Sequence, residues 1–154
     1  MSLVVVLSFY SANLFAKDSR VIYGEDNRKD LYEVTDQEWV KRAQSTVALI
    51  RSRKITNLNE DQMSLTTQSY GDTLKLCYDE PFYDQEKAAF CSGSLITDDI
   101  IMTAGHCIQT QADCDDTKFV FDFAYDRSEE SLQVINRKDV YSCDAIIKSR
   151  YTRH

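Results

Sequence analysis

The stretch Phe90-Cys91-Ser92-Gly93-Ser94-Leu95-Ile96 is separated from Ile100-Ile101-Met102-Thr103-Ala104-Gly105-His106-Cys107 by only Thr97-Asp98-Asp99. Two short apolar runs with an Asp-Asp reversal between them predict an antiparallel hairpin over 90–103 with buried inner positions. Cys91 opens the first run and Cys107 closes the second. A bridge between them would close a loop contributing about 3 kcal/mol in the chain-entropy model, and would pin the intervening His106. Ala104 and Gly105 keep that turn small, so the imidazole can face a cleft, and a rigidly held base is what proton transfer requires.

The remaining chain carries the same punctuation. Thr46–Ile50, Met63–Thr67, Thr73–Cys77, Lys118–Phe123 and Leu132–Ile135 are further short strand candidates between polar turns, which together predict an all-β chain. Thr35-Asp36-Gln37-Glu38 has capping-box spacing, with Thr35 and Glu38 as the reciprocal pair, ahead of a two-turn helix carrying Trp39, Val40 and Ala43. Glu25 to Asp30 reads as a surface arm, and Arg51 to Gln62 as a polar connector. The length of 154 residues suits one domain, and 43% hydrophobic against 28% charged residues suffices for a core. A net charge of −7 without a Lys/Arg stripe argues against nucleic acid as a partner.

Residues 1–16 are uncharged and apolar up to Ala16, before Lys17-Asp18-Ser19. This reads as a secretory signal, too short to span a bilayer, with a buried N-terminal strand as the alternative. A secreted or periplasmic chain without membrane contact after signal removal follows, in an environment where cysteines pair. There are five, so two bridges would leave one thiol over, either free or paired with a cysteine on polypeptide outside this chain; if Cys91 and Cys107 bridge, Cys77, Cys114 and Cys143 remain. Their pairing is open, with Cys114–Cys143 preferred.

At Cys91, Thr103-Ala104-Gly105-His106-Cys107 and their surroundings the chain resembles the trypsin-like serine proteases. In that family the T-A-G-H-C block carries the catalytic histidine, and its cysteine pairs with the one opening the preceding strand. The resemblance implies His106 as the catalytic base and a Cys91–Cys107 disulfide. Val21-Ile22-Tyr23-Gly24-Glu25-Asp26-Asn27-Arg28 and the strand from Ser45 to Ile50 are similar to the bacterial V8-like branch, which hints at acidic side chains in its substrates by analogy alone. The fold implied is the N-terminal antiparallel β-barrel of a two-barrel protease over residues 17–154, with a short N-terminal helix and the second barrel missing. No cofactor is implied, and the partner would be a polypeptide substrate once a second barrel completes the cleft.

The mechanism implied is acyl transfer, in which a serine attacks, a histidine takes its proton and an aspartate orients the ring. Of these the sequence supplies the histidine. It contains no G-D-S-G-G, since Gly71-Asp72 is followed by Thr73 and precedes His106. The nearest match to the family's D-x-A-L aspartate is Asp144-Ala145-Ile146-Ile147, set against a solvated turn carboxylate. The chain alone is therefore expected to be inactive. Arg20 before Val21-Ile22 matches an activation cleavage site, or equally a basic residue before a strand. His154 is terminal. Three other readings compete: a noncatalytic β-barrel binding protein, an unrelated disulfide-stapled β domain, and a zinc site of Cys91, His106, Cys107 and Cys114. The last is disfavoured because adjacent His106 and Cys107 cannot easily aim at one ion.

Overall fold

Val47, Ala48, Leu49 and Ile50 are consecutive and all buried, as in a strand covered on both faces. The computed structural model describes residues 26–127 and 131–150. In chain order these form helix α1 (Gln37–Ala43) and strands β1 (Thr46–Arg51), β2 (Ile55–Asn57), β3 (Gln62–Leu65) and β4 (Gln68–Ser69). Helix α2 (Tyr70–Leu74), β5 (Glu86–Lys87), β6 (Cys91–Leu95), β7 (Ile101–Thr103) and helix α3 (Gln111–Asp115) follow. Strands β8 (Thr117–Val120), β9 (Val134–Asn136) and β10 (Val140–Ser142) complete the set. The protein is mostly strand with few short helices, the all-β class that the sequence predicts.

Strand β1 lies at the centre of a five-stranded sheet of order β10-β8-β1-β6-β7. Its alternation splits the core in two. Val47 and Leu49 pack with Cys107, Ile108, Cys114 and Phe119 on one side. Ala48 and Ile50 pack with Leu65, Ala88, Val120 and Ile135 on the other. The second cluster brings in the three-stranded sheet β2-β3-β9. A Leu65 N–H donates to the Gln133 carbonyl at 2.8 Å, and Thr66 to Lys54 at 2.8 Å, so the backbone ties of β3 reach beyond its ladder. The pairings among the described residues do not close a barrel: these two sheets and the two-stranded β4-β5 stay separate, and β7 and β10 are free edges of the largest one.

The hairpin forms as the sequence predicts, with Gly93 opposite Thr103 and Leu95 opposite Ile101. Gly93 also faces Val47 of β1. A Cβ there would lie 2.9 Å from the Ile101 side chain and 3.0 Å from the Met102 carbonyl, which is backbone and cannot yield. Gly93→Ala is therefore expected to cost about 1–3 kcal/mol in chemical denaturation, as overpacked substitutions do. An unchanged midpoint would show that the hairpin has slack.

Several expectations are corrected. Thr73–Cys77 is not a strand. Ser69 caps α2 by accepting from the Asp72 N–H at 3.2 Å, and Lys75 ends the helix in the left-handed region at φ 56°. The α1 cap is Asp36, whose carboxylate accepts from the Glu38 N–H at 2.9 Å, rather than Thr35. The connector from Arg51 to Gln62 contains a 3-10 turn, Ser52–Lys54, and all of β2. The signal at 1–16, the Arg20-Val21 site and His154 lie outside the described residues. No helix among the described residues is long and apolar enough to cross a membrane.

Glu86 links these layers. Its carboxylate accepts from Thr67 Oγ1 at 3.1 Å, Ser131 Oγ at 3.1 Å, Gln133 Nε2 at 2.6 Å and the Leu132 N–H. Burial pushes its pKa up, but the bonds from Leu132, Gln133, Thr67 and Ser131 outweigh this and hold it below the ordinary carboxylate value. A lowered folded pKa gives stability that is present above the unfolded value and lost as pH falls through the folded one. Glu86→Gln should thus cost about 1–3 kcal/mol at pH 7, and the difference from wild type should shrink in acid. A pH-independent difference in urea unfolding would contradict this.

Candidate active site

His106 sits in the turn that follows β7. That turn is closed by the Cys107 N–H donating to the Ala104 carbonyl at 2.9 Å. Thr103 Oγ1 donates to the Ser92 carbonyl at 2.7 Å, locking the end of β7 to β6. Cys107 is 6% exposed and belongs to the Val47–Leu49 core cluster, whereas His106 is exposed. The disulfide joins Cys107 to Cys91, with Cα atoms 6.1 Å apart. One neighbour of the histidine is thus fixed covalently inside the core while its own side chain remains at the surface. The His106 carbonyl accepts from Gln109 Nε2 at 3.2 Å.

Beyond His106 the chain enters α3, capped by Thr110, whose hydroxyl accepts from the Asp113 N–H at 3.2 Å. The Asp113 carboxylate accepts in return from the Thr110 hydroxyl and the Gln109 and Thr110 N–H groups, which hold its pKa below the ordinary value. The sequence signal of this cap is the T-x-x-D spacing of Thr110 and Asp113. A second disulfide, Cys114–Cys143, fastens α3 to the segment after β10. Cys77 is an exposed free thiol.

Ligand-type atoms of Cys91, His106 and Cys107 lie within 4.8 Å of one another, and Asp144 is not among them. Both sulfurs are consumed by the disulfide, so neither is the thiolate that a zinc ion would need. Asp144 lies instead beside α3, exposed, with its carbonyl accepting from Gln111 Nε2 at 3.0 Å.

A groove of about 1210 Å³ runs between the free edges β7 and β10, lined by Ile101, Met102, Phe119, Phe121, Tyr141 and Ile146 among others. Met102 and Tyr141 are 60% and 55% exposed. This apolar surface adjoins the site, since Ala104 and Gly105 also line it. Residues 78–151 match the trypsin family model. The match spans a little under half the chain and takes in Cys91, His106, Cys107 and both disulfides, so it supports a relationship to the trypsin-like serine proteases. The stretches similar to the V8-like branch fall before it. No curated protein and no solved structure matches the chain. Trypsin-like proteases act on polypeptides, and the two disulfides are compatible with a secreted protein.

Proposed function

We propose that residues 17–154 form the amino-terminal barrel of a secreted, V8-like member of the trypsin-like serine endopeptidases, with His106 as general base and residues 1–16 as a cleaved signal. The observation that carries this reading is the placement of His106: exposed, directly after β7, and covalently anchored through Cys107 in the core within the matched segment. In acyl transfer that histidine takes the proton of a serine hydroxyl as it attacks the scissile carbonyl, then returns it to the leaving amine. This sequence offers no G-D-S-G-G serine, so nucleophile and oxyanion donors would come from a second barrel on downstream polypeptide. The apolar groove and the two free sheet edges support such a completion, because unpaired edges and the exposed Met102 and Tyr141 beside them are surfaces that a second barrel would cover. Asp144, exposed beside α3, suits a turn carboxylate better than a triad acid.

The test is to express the 154-residue chain and, in parallel, the polypeptide continued through its downstream coding sequence. The continued protein should react with a fluorophosphonate and cleave a casein substrate, whereas the 154-residue chain should do neither. A continued protein that folds but shows neither reaction would remove the endopeptidase reading.

A further inference from the structure

A second cavity of about 400 Å³ lies between the arm at Asp30–Tyr32 and the loop 78–85. Tyr78, Phe82 and Tyr83 wall it, and Asp79, Glu80 and Asp84 stand on its rim. Arg127 is the one basic residue among its described lining residues. The walls are built rather than incidental. The Tyr83 ring lies flat over Gly71, where a Cβ would come within 2.1 Å of it, and its hydroxyl donates to Asp72 Oδ1 at 2.7 Å. Tyr78 holds its centroid 5.1 Å from that of Tyr83 at 43°, although Tyr78 is 88% exposed. Gln85 Nε2 donates to Asp30 Oδ1 at 2.6 Å and fixes the arm to the loop.

One of the wall rings already meets a cation of this chain. The Arg28 guanidinium stands 4.9 Å from the Phe82 ring centroid while donating through Nε and Nη2 to both oxygens of Asp26, at 2.9 and 2.7 Å. Arg28 and Asp26 do not line the cavity, but the contact shows that the Phe82 ring, which does, takes a guanidinium on its face. The carboxylates of Asp79 and Asp84 have no hydrogen-bond or ion-pair partner among the described residues. A hard metal ion fits the cavity poorly. It needs several converging oxygens, and the only described group of three ligand atoms close enough is Cys91, His106 and Cys107.

We propose that this aromatic, acid-rimmed cavity binds an organic cation, a guanidinium or alkylammonium group, supplied either by a basic polypeptide or by a free small molecule. Ring quadrupoles attract such a group at the walls, and the rim carboxylates supply the counter-charge. The site goes beyond the proposed catalytic reading and requires no hydrolysis.

The experiment is calorimetric titration of the full oxidised chain with N-acetyl-Gly-Arg-Gly-amide, its citrulline analogue, and argininamide. Saturable binding of the arginine peptide is expected, with the neutral citrulline analogue at least tenfold weaker. D79N/D84N and Tyr78→Leu should each weaken binding at least tenfold, while D98N/D99N, which removes the same charge from the distant hairpin, should not. Argininamide binding as tightly as the peptide would identify a free cation as the ligand, and weaker binding would identify a polypeptide. No saturable binding, equal binding of the citrulline peptide, or an equal loss in D98N/D99N would overturn the proposal. Near-UV circular dichroism of each variant separates lost binding from lost folding.

Discussion

In the polypeptide continued through its downstream coding sequence, His106→Ala is expected to lower peptide hydrolysis at least about ten-thousandfold, because removing the base of a serine triad leaves only binding and oxyanion stabilisation. The same substitution should leave the thermal midpoint almost unchanged. His106 is exposed and contributes nothing to either core cluster, whereas its neighbours Cys107 and Ile108 carry the burial. The separation of these two effects is the informative part. A residue serving only packing at a strand end would lose stability and activity together, and a relic would lose neither. Initial rates on a peptide substrate and a melting curve on the same preparation measure both.

The second large effect is the loss of the disulfides. Cys91–Cys107 closes 16 residues and Cys114–Cys143 closes 29. In the chain-entropy model each contributes about 3–4 kcal/mol. Their sum is comparable to the whole stability of a typical domain, about 5–15 kcal/mol. Reduced chain, or the fourfold Cys→Ala variant, should therefore be largely unfolded at 37 °C. Cys107 and Cys114 lie in one core cluster, so the two losses should couple rather than add. Urea unfolding of C91A/C107A and C114A/C143A separately should give about 3 kcal/mol each, and a loss below about 1 kcal/mol for either would contradict the staple role assigned to it.

What was legible in the sequence was whatever burial writes directly into it. The apolar run at β1 is recognisable because it is buried, and the half-buried β6–β7 hairpin because its short apolar runs are bounded by a polar turn. The helix α1 was placed correctly, although its cap lies one residue later, since a carboxylate at Asp36 competes with the Thr35 hydroxyl for the same amides. β2 was hidden because Thr56 and Asn57 are exposed and their strand exists through pairing with Ser64 and Met63 rather than through apolar alternation. Thr73–Cys77 misled by its β-branched and apolar composition, where a local Ser69 cap and the Gly71–Tyr83 contact favour helix. The Glu86 cluster could not be read at all, because its donors lie 19 to 47 positions away. Around His106 the residues that form the turn are contiguous, which is why that part of the site was visible. The groove depends on the two ends of a sheet whose strands come from distant segments.

The central claim is that this chain carries the histidine half of a trypsin-like catalyst. Its most direct test is to read the coding DNA beyond the codon for His154 in all three frames. The account predicts an aspartate-bearing apolar strand soon after, followed by a G-D-S-G-G segment. A stop codon with neither motif in any frame would contradict it, and His106 would then have no nucleophile to serve.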